Sequence, residues 1–343
     1  MRVTDIYLTG LGVHLPEVVE MTTAVEQGWF DATQAEQTGL TGAAVAGEVS
    51  GPEMALDATR QALTRAGQDP AGVDLLLYVD VYHSGPDGWL PQSYLQKHLL
   101  GGDLTAVGVR QGCNGIFGAL ELAASHLMAD PGRGPALVVA ADNLSSPLLN
   151  RWQALPGVVM GDAASAVVLS REEGFARLRS ICSTTITELE GLHRGDEPLY
   201  PASTPAGRPL NFITRFVQFN QAGGMGPDGA LLFVKTMDEV VGRALDEAGI
   251  DAGRIARVAF NNGARASVED RVVPLGFTME QSTWEYGRRL GHLGASDQLV
   301  SMDHLLDTGE LGPGDHLLLL GLGPGVSIAA AVVEILAVPP WLA

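Results

Sequence analysis

Residues 105–128 read TAVGVRQGCNGIFGALELAASHLM, and this stretch decides both the fold and the chemistry that we predict. Its first part, 105–109, is short and apolar like a covered strand, whereas 116–128 is rich in Ala and Leu like a helix. Cys113 follows Gly112 just before that helix, so its thiol lies at the positive end of the helix dipole, which favours the thiolate. Free backbone N–H groups there can hold a developing oxyanion. We therefore predict that Cys113 is a nucleophile; the alternative is a merely buried cysteine.

Strands and helices alternate on both sides of this stretch. Strands are predicted at 3–8, 73–81, 136–141, 163–170, 257–261, 317–320 and 326–335. Helices are predicted at 52–66, 92–100, 231–248, 267–273 and 296–306. The first strand is expected to end before Gly10 and Gly12, because glycine commonly marks turns. The alternation indicates an α/β fold with covered sheets.

Two small-residue strands suggest that the chain is an internal duplication. Residues 161–168 read GDAASAVV and residues 325–332 read GVSIAAAV, and glycine opens both. We therefore predict two halves, 1–171 with the nucleophilic cysteine and 172–343 with the glycine-rich turn.

The composition describes an acidic protein with ample apolar content. Of 343 residues, 46% are hydrophobic, and 21 Lys and Arg stand against 40 Asp and Glu, a net charge of −19. The acidic balance argues against a nucleic-acid surface and an anionic membrane surface, because both require basic patches. Cys113 and Cys182 make no disulfide framework, which fits the cytoplasm, and Cys182 is predicted to be buried.

The most apolar stretch, 317–333, approaches the length of a membrane span. Gly321, Gly323 and Pro324 interrupt it in the middle. We predict two buried strands around a tight turn.

A thiolate nucleophile needs a base or an electrostatic partner, and His292 is the best candidate among the histidines. It lies in GHLGASD, 291–297, a glycine-flanked loop just before a predicted helix. Such loops place side chains at the end of an α/β sheet, where functional sites collect. Asp297 is the nearest acid along the chain; it either orients the imidazole of His292 or caps the helix.

The segment 189–211 is long, polar and rich in proline. It is either a lid or binding loop, or a plain surface connection. His193 lies within it, and the sequence assigns it no role.

Four motifs in order make the chain similar to the ketoacyl synthase III branch of the thiolase superfamily. They are GPEMAL at 51–56, QGCNG at 111–115, GDAASAVV at 161–168 and GLGPG at 321–325. The resemblance implies a five-layered αβαβα fold of two similar halves, a homodimer, and Cys113 as the acylated residue.

Two departures from the condensing members concern catalysis. Where those members carry His-Gln-Ala-Asn, this chain has Phe260 followed by Asn261, Asn262 and Gly263, and where they carry a later Asn it has His292. The family His and Asn donate hydrogen bonds that stabilise the enolate formed when a malonyl thioester loses carbon dioxide. A phenyl ring cannot donate such a bond, whereas His292 is a potential base.

The pattern is similar to ketoacyl-synthase-like acyltransferases of aromatic polyketide pathways, which form esters. It implies that Cys113 takes a malonyl-type acyl group, that the N–H groups of Cys113 and Gly325 hold the oxyanion, and that His292 activates an alcohol, for instance a sugar hydroxyl of a polyketide glycoside. A decarboxylating synthase, with Asn262 replacing the lost donor, and a non-catalytic acyl carrier or chain-length partner are the alternatives.

The resemblance also implies that the donor, a coenzyme A thioester or an acyl-carrier-protein thioester, is a substrate, and that neither a metal nor a resident cofactor takes part. Phe260, Asn262 and Arg265 are the candidates for substrate binding. Arg265 and Arg110 could receive a malonyl carboxylate. Ordinary salt bridging is the alternative for both of these arginines. Arg151 and Arg215 could contact phosphate, and a solvated charge is the alternative for each.

Overall fold

In the computed structural model the chain folds around a mixed β-sheet of nine strands, accompanied by a separate two-stranded sheet. The structure describes residues 1–82, 84–145, 149–201 and 206–342. The strands are β1 (Tyr7–His14), β2 (Val18–Glu20), β3 (Gly42–Ala44), β4 (Leu75–Val79), β5 (Thr105–Val109), β6 (Ala136–Asp142), β7 (Ala163–Ser170), β8 (Ala176–Thr185), β9 (Ile255–Ala259), β10 (His316–Gly323) and β11 (Ser327–Ile335). The α-helices are α1 (Met21–Glu26), α2 (Ala32–Thr38), α3 (Gly51–Ala66), α4 (Pro91–Leu95), α5 (Gly115–Ala129), α6 (Phe212–Gln221), α7 (Gly226–Ala248), α8 (Arg265–Val272), α9 (Trp284–Gly287) and α10 (Asp297–Asp307).

The strand order of the large sheet, β5-β4-β6-β7-β1-β8-β11-β10-β9, contains the same pattern twice. In the first half β4 is parallel to β6, β6 is antiparallel to β7, and β7 is antiparallel to β1. In the second half β9 is parallel to β10, β10 is antiparallel to β11, and β11 is antiparallel to β8. The antiparallel pair β1 and β8 joins the two halves.

The hydrophobic core is divided into layers by these strands. Helix α3 packs with β4, β6 and β7 in one cluster, and α7 and α8 pack with β8 to β11 in another. Between them, α5 and α10 share a third cluster with strands from both halves. The resulting order is helix, sheet, helix, sheet, helix, and it brings the starts of α5 and α10 together at the centre of the molecule.

The first strand differs from its prediction. It covers Tyr7–His14 instead of 3–8, and Gly10 and Gly12 lie inside it. The glycines are there because α3 crosses this strand closely: a Cβ on Gly12 would stand 2.1 Å from the carbonyl oxygen of Ala58. Glycine here permits close packing and does not mark a turn.

No helix is predicted directly before α7, where the structure has α6. Its side chains are only partly covered: Phe212 and Phe216 line the cavity described below, and Ile213 and Val217 are exposed. Helix α7 begins at Gly226, earlier than the predicted 231.

The predicted pair of strands in the apolar stretch 317–333 is confirmed, because β10 and β11 form an antiparallel pair around a tight turn. Across the described parts of the chain, none of the helices has the length and apolar character that spanning a bilayer requires.

The contact between α3 and β1 gives a stability prediction. Gly12→Ala places a methyl group against the backbone of α3, which cannot move aside like a side chain, so we expect a loss of about 1 to 3 kcal/mol or more in the free energy of unfolding. Gly242→Ala in α7 is the matched control: its Cβ meets nothing within 4 Å, and alanine in a helix should add about 0.5 to 1 kcal/mol. Chemical denaturation measures both, and equal stability of the two variants would show that the close contact is absent.

Candidate active site

Cys113 lies where the sequence places it, at the start of a helix. It belongs to a single 3₁₀ turn, Gly112–Asn114, that leads directly into α5, and its side chain is buried. Gly112 has a φ of +57°, and a Cβ there would meet the ring of Pro324 at 2.5 Å. Only glycine allows both the positive φ and the close approach of Pro324. The conformation of the turn then sets the direction of the Cys113 thiol.

The β10–β11 hairpin holds the cysteine turn from the side of the second half. The side-chain amide of Asn114 donates to the carbonyl oxygen of Ser327 at 2.8 Å and to its Oγ at 3.1 Å. In the turn of the hairpin, Gly325 and Val326 both have positive φ, 76° and 56°. This conformation is unusual for a β-branched residue, and the packing on both sides must maintain it.

Cys113, His292 and Asp297 form one continuous buried chain of contacts. Nε2 of His292 lies 2.9 Å from Sγ of Cys113, and Nδ1 of His292 lies 2.5 Å from Oδ2 of Asp297. The backbone N–H of His292 donates to the carbonyl oxygen of Val159 at 2.7 Å, which holds the loop in place. The imidazole therefore bridges the thiol and the carboxylate.

Asp297 is directed at His292 and does not cap the helix. Its carboxylate also accepts hydrogen bonds from the backbone N–H groups of Leu293, at 2.8 Å, and Asn262, at 3.1 Å. Helix α10 begins at Asp297, and its N-cap residue, Ser296, makes no side-chain capping bond. The contacts of Asp297 are therefore those of a group that orients the imidazole, and its catalytic role stays a prediction.

The charge state of His292 is set by its two neighbours. Burial by itself would lower its pKa, but the negative charges of Cys113 and Asp297, and the hydrogen bonds to both groups, raise the pKa well above its ordinary value. The arrangement therefore favours the protonated form of the His292 imidazole.

Cys113 and His292 open on a cavity of about 460 Å³. Its apolar walls include Leu144, Leu149, Val158, Met160, Leu210, Phe212, Phe216, Phe233, Phe260, Leu322 and Val326. Its other polar or charged wall residues are Tyr82, His193, Asn261, Asn262, Ser267 and Arg271. The cavity thus combines the thiol of Cys113 and the imidazole of His292 with a largely apolar enclosure, as a small-molecule site requires.

The structure brings some of the predicted substrate-binding residues to this cavity. Phe260 and Asn262 line it, and the side-chain amide of Asn262 donates to the carbonyl oxygen of Gly291 at 2.8 Å. Arg265 does not line the cavity; it is half-exposed, lies 3.7 Å from Glu269 and stacks over the ring of Trp284. Gly325 lies in the turn beside the cavity, and its oxyanion role stays a prediction.

The arginines predicted to bind phosphate or carboxylate have other partners. Arg151 is buried, and its guanidinium lies 2.9 Å from the fully buried carboxylate of Asp162, so it braces the backbone under the site and is not accessible to phosphate. Arg215 lies 2.6 Å from Glu197. Arg110 donates to the carbonyl oxygen of Tyr82 at 2.5 Å. Arg151 and Arg215 are thus ion-paired, so neither carries the solvated charge that was the alternative to phosphate contact.

Part of the proline-rich segment 189–211 contributes to the cavity, through Leu192, His193 and Leu210. Residues 202–205 of this segment lie outside the described residues. Burial, together with the charge of Arg215, lowers the pKa of His193 to about 4, so its imidazole is neutral at pH 7.

Sequence reasoning missed two polar wall residues. Asn261 accepts a hydrogen bond from the backbone N–H of Leu322 at 2.7 Å and links the cavity to the β10–β11 hairpin. Arg271 lies on α8 and lines the cavity together with Phe260. Asn261 stands in the segment where the condensing members carry His-Gln-Ala-Asn, whereas Arg271 stands in none of the motifs.

The comparisons with known proteins agree with this geometry. The sequence pattern of 3-oxoacyl-[acyl-carrier-protein (ACP)] synthase III matches residues 107–185, and that of its C-terminal part matches residues 245–335. Beta-ketoacyl-[acyl-carrier-protein] synthase III of Clostridium beijerinckii is 22% identical over 336 residues, which cover 96% of this chain and 99% of the relative.

Solved structures give the same result. ChlB3, named as an acyltransferase, is 52% identical with a TM-score of 0.95, and the match covers 98% of this chain and 100% of that one. The 3-oxoacyl-[acyl-carrier-protein] synthase III from Aquifex aeolicus VF5 is 21% identical with a TM-score of 0.77, over 96% of this chain and 99% of that one.

The chain therefore belongs to the 3-oxoacyl-[acyl-carrier-protein] synthase III family and has its thiolase-like fold. The predicted family and fold class are confirmed, and the protein is an enzyme of the transferase class. The family description itself names an acyl group bound to the acyl carrier protein.

Asp142, at the end of β6, gives a pH prediction. Its carboxyl accepts hydrogen bonds from the backbone N–H groups of Val81, at 2.8 Å, and Tyr82, at 3.2 Å, both of which line the cavity. Burial raises the pKa of Asp142 to about 8, despite these bonds, which lower it. The folded protein therefore keeps a proton that the unfolded chain releases near pH 4.

The pKa of Asp142 is higher in the folded state than in the unfolded chain, so the free energy of unfolding is greatest below pH 4 and falls as the pH rises to about 8. The fall is up to about 1.4 kcal/mol per pH unit. Asp142→Asn should remove that slope between pH 5 and 8, and Asp251→Asn, at an exposed site, should leave it unchanged. Denaturation curves across this range measure the effect, and identical slopes for the wild type and Asp142→Asn would contradict it.

Proposed function

We propose that this enzyme transfers an acyl group from a thioester to an alcohol through an acyl-enzyme on Cys113, and forms an ester without decarboxylation. The observation that carries the proposal is the 2.9 Å contact between Nε2 of His292 and Sγ of Cys113, with Asp297 behind the imidazole. A nucleophile, a base and a group that orients the base are the components of acyl transfer.

In the first half-reaction the Cys113 thiolate attacks the carbonyl carbon of the donor thioester. The N–H groups of Cys113 and Gly325 are the proposed donors to the tetrahedral oxyanion; Pro324 has no N–H. When the intermediate collapses, the bond to the donor sulfur breaks, and the imidazolium of His292 gives its proton to the departing thiolate. The products are the free thiol of the donor and a neutral His292 beside an acylated Cys113.

In the second half-reaction the same His292 acts as a base. Acylation removes the thiolate charge that helps to raise its pKa, so burial weighs more and the imidazole is ready to accept a proton. It takes the proton of the acceptor hydroxyl while the oxygen attacks the acyl carbonyl carbon. The new ester leaves, the bond to Sγ breaks, and the thiolate and imidazolium of the resting enzyme return.

Phe260 is the reason that we propose intact transfer. Its phenyl ring lines the cavity and cannot donate a hydrogen bond to a thioester carbonyl, so an enolate formed by decarboxylation lacks that contact. One such donor in a preorganised site is typically worth about 2.7 to 4 kcal/mol. Its loss suppresses condensation by orders of magnitude and does not affect acylation of Cys113.

The substrates that we propose are a malonyl-type acyl group, carried by coenzyme A or an acyl carrier protein, and an alcohol acceptor, a sugar hydroxyl of a polyketide glycoside. The apolar cavity walls favour a partner with a large apolar surface, such as the polyketide part of a glycoside. The 52% identity to ChlB3, an acyltransferase by name, supports the reaction class. As the family resemblance implies, we propose a cytoplasmic homodimer.

Decarboxylating condensation is the second candidate, and the relatives named synthase III favour it. It requires another donor in place of the missing histidine. The side-chain amide of Asn262 already donates to Gly291, which weakens it as the replacement.

The test uses a malonyl-coenzyme A donor labelled in its free carboxyl group, with a polyketide glycoside as acceptor. We expect the label to stay in an ester product. Release of labelled carbon dioxide with a new carbon–carbon bond would replace this proposal by the ketosynthase. Phe260→His should increase the release of carbon dioxide if the lost donor is what suppresses condensation.

Two variants serve as controls for the same reaction. Cys113→Ala should show no acyl adduct in intact-protein mass spectrometry. His292→Ala should still form the adduct, though more slowly, and should transfer the acyl group about 10² to 10⁴ times more slowly. Unchanged transfer in His292→Ala would exclude a base role for this residue, and absence of an adduct on the wild type would contradict the proposal at its first step.

A further inference from the structure

Arg271 is a cavity-wall cation without a carboxylate partner among the residues that the structure describes. Its Nη1 donates to the carbonyl oxygen of Ser267 at 2.7 Å, and its guanidinium lies 5.8 Å from the ring centre of Phe233. Within the described residues no carboxylate lies at ion-pair distance from it; Asp270, its neighbour in the chain, acts on it only through its more distant charge. The guanidinium therefore faces a largely apolar space with most of its N–H groups uncommitted.

Other covered arginines near the cavity are neutralised, which makes Arg271 an exception. Arg151 lies 2.9 Å from Asp162, and Arg215 lies 2.6 Å from Glu197. A protein with 40 acidic and 21 basic residues has ample carboxylates for every arginine. An arginine in a cavity wall that has no carboxylate partner costs desolvation energy. An incoming anion can offset that cost.

We infer that Arg271 binds an oxyanion of the acyl donor and so selects the donor that enters the cavity. A planar guanidinium holds a carboxylate or phosphate through two parallel N–H bonds, and both bonds are stronger in an apolar enclosure. The oxyanion has two possible sources: the free carboxylate of a dicarboxylic acyl unit or a phosphate of the donor arm. This inference rests on the proposed function, because it takes the cavity beside Cys113 as the donor site.

Burial lowers the pKa of the Arg271 guanidinium, and the charge of Asp270 opposes this effect. The lowered pKa reflects the cost of keeping this cation away from water, which is consistent with a role in binding an anion. The group nevertheless stays charged at any ordinary pH, because a guanidinium is a very weak acid. Sequence reasoning had instead assigned a malonyl carboxylate to Arg265 and Arg110. The structure places Arg265 outside the cavity and Arg110 on a backbone carbonyl.

The experiment measures binding in a Cys113→Ala background, so that it does not depend on acyl transfer. Four donors separate the two sources of the oxyanion: malonyl-coenzyme A, acetyl-coenzyme A, and the malonyl and acetyl thioesters of N-acetylcysteamine, which carries no phosphate. Arg271→Met removes the charge at similar length, Arg271→Lys keeps the charge without the two-pronged geometry, and Arg60→Met, at an exposed site on α3, is the control.

If the acyl carboxylate is bound, Arg271→Met weakens both malonyl donors about 10- to 100-fold and leaves both acetyl donors unchanged. If a donor phosphate is bound, it weakens both coenzyme A donors by a similar factor and leaves both N-acetylcysteamine thioesters unchanged. Arg271→Lys should recover part of the affinity in either case, and its thermal unfolding should match that of the parent protein.

An equal effect on all four donors, or no effect on any, would overturn the inference. The proposed function fails separately, if wild-type Cys113 is not acylated by any donor that binds. The two failures are therefore distinguishable in one set of proteins.

Discussion

The contact between His292 and Cys113 is the constraint on which the rest of the structure depends. The two residues lie 179 positions apart, and their side chains meet at 2.9 Å inside the protein. Cys113 is supplied by the turn before α5 in the first half, and His292 by the loop before α10 in the second. Because α5 and α10 share the central hydrophobic cluster, packing of the two halves fixes the distance between nucleophile and base. The glycines of β10 and the amide of Asn114 complete this junction.

Burial and charge act together at this junction. An isolated buried histidine would be neutral, as His193 is in the same cavity, where burial and Arg215 lower its pKa to about 4. His292 differs because two negatively charged partners raise its pKa well above the ordinary value. In the mechanism that we propose, its charge follows the state of Cys113, so that the acid of the first half-reaction becomes the base of the second. Phe260 lines the same cavity and contributes no hydrogen-bond donor to it.

The sequence allowed prediction of those features that are carried by local pattern. The Cys113 turn, the small-residue strands and the loop of His292 are short motifs with a local physical reason, and the fold class followed from their order. Features that depend on distant contacts were missed. Gly10 and Gly12 look like turn residues until α3 is seen to cross them, and Arg151 looks exposed until Asp162 is seen beside it. Arg271 and α6 face a cavity whose walls come from several separate segments, so no single stretch reveals them.

The central claim is that the charge of His292 depends on acylation of Cys113, and NMR of the protein with isotope-labelled histidine tests it most directly. The ring nitrogen shifts of His292, assigned with the His292→Ala variant, report whether the imidazole carries one proton or two. At pH 7 the account predicts an imidazolium in the free enzyme and a neutral imidazole once Cys113 is acylated. A neutral ring in the free enzyme, or a ring whose protonation does not change on acylation, would contradict it.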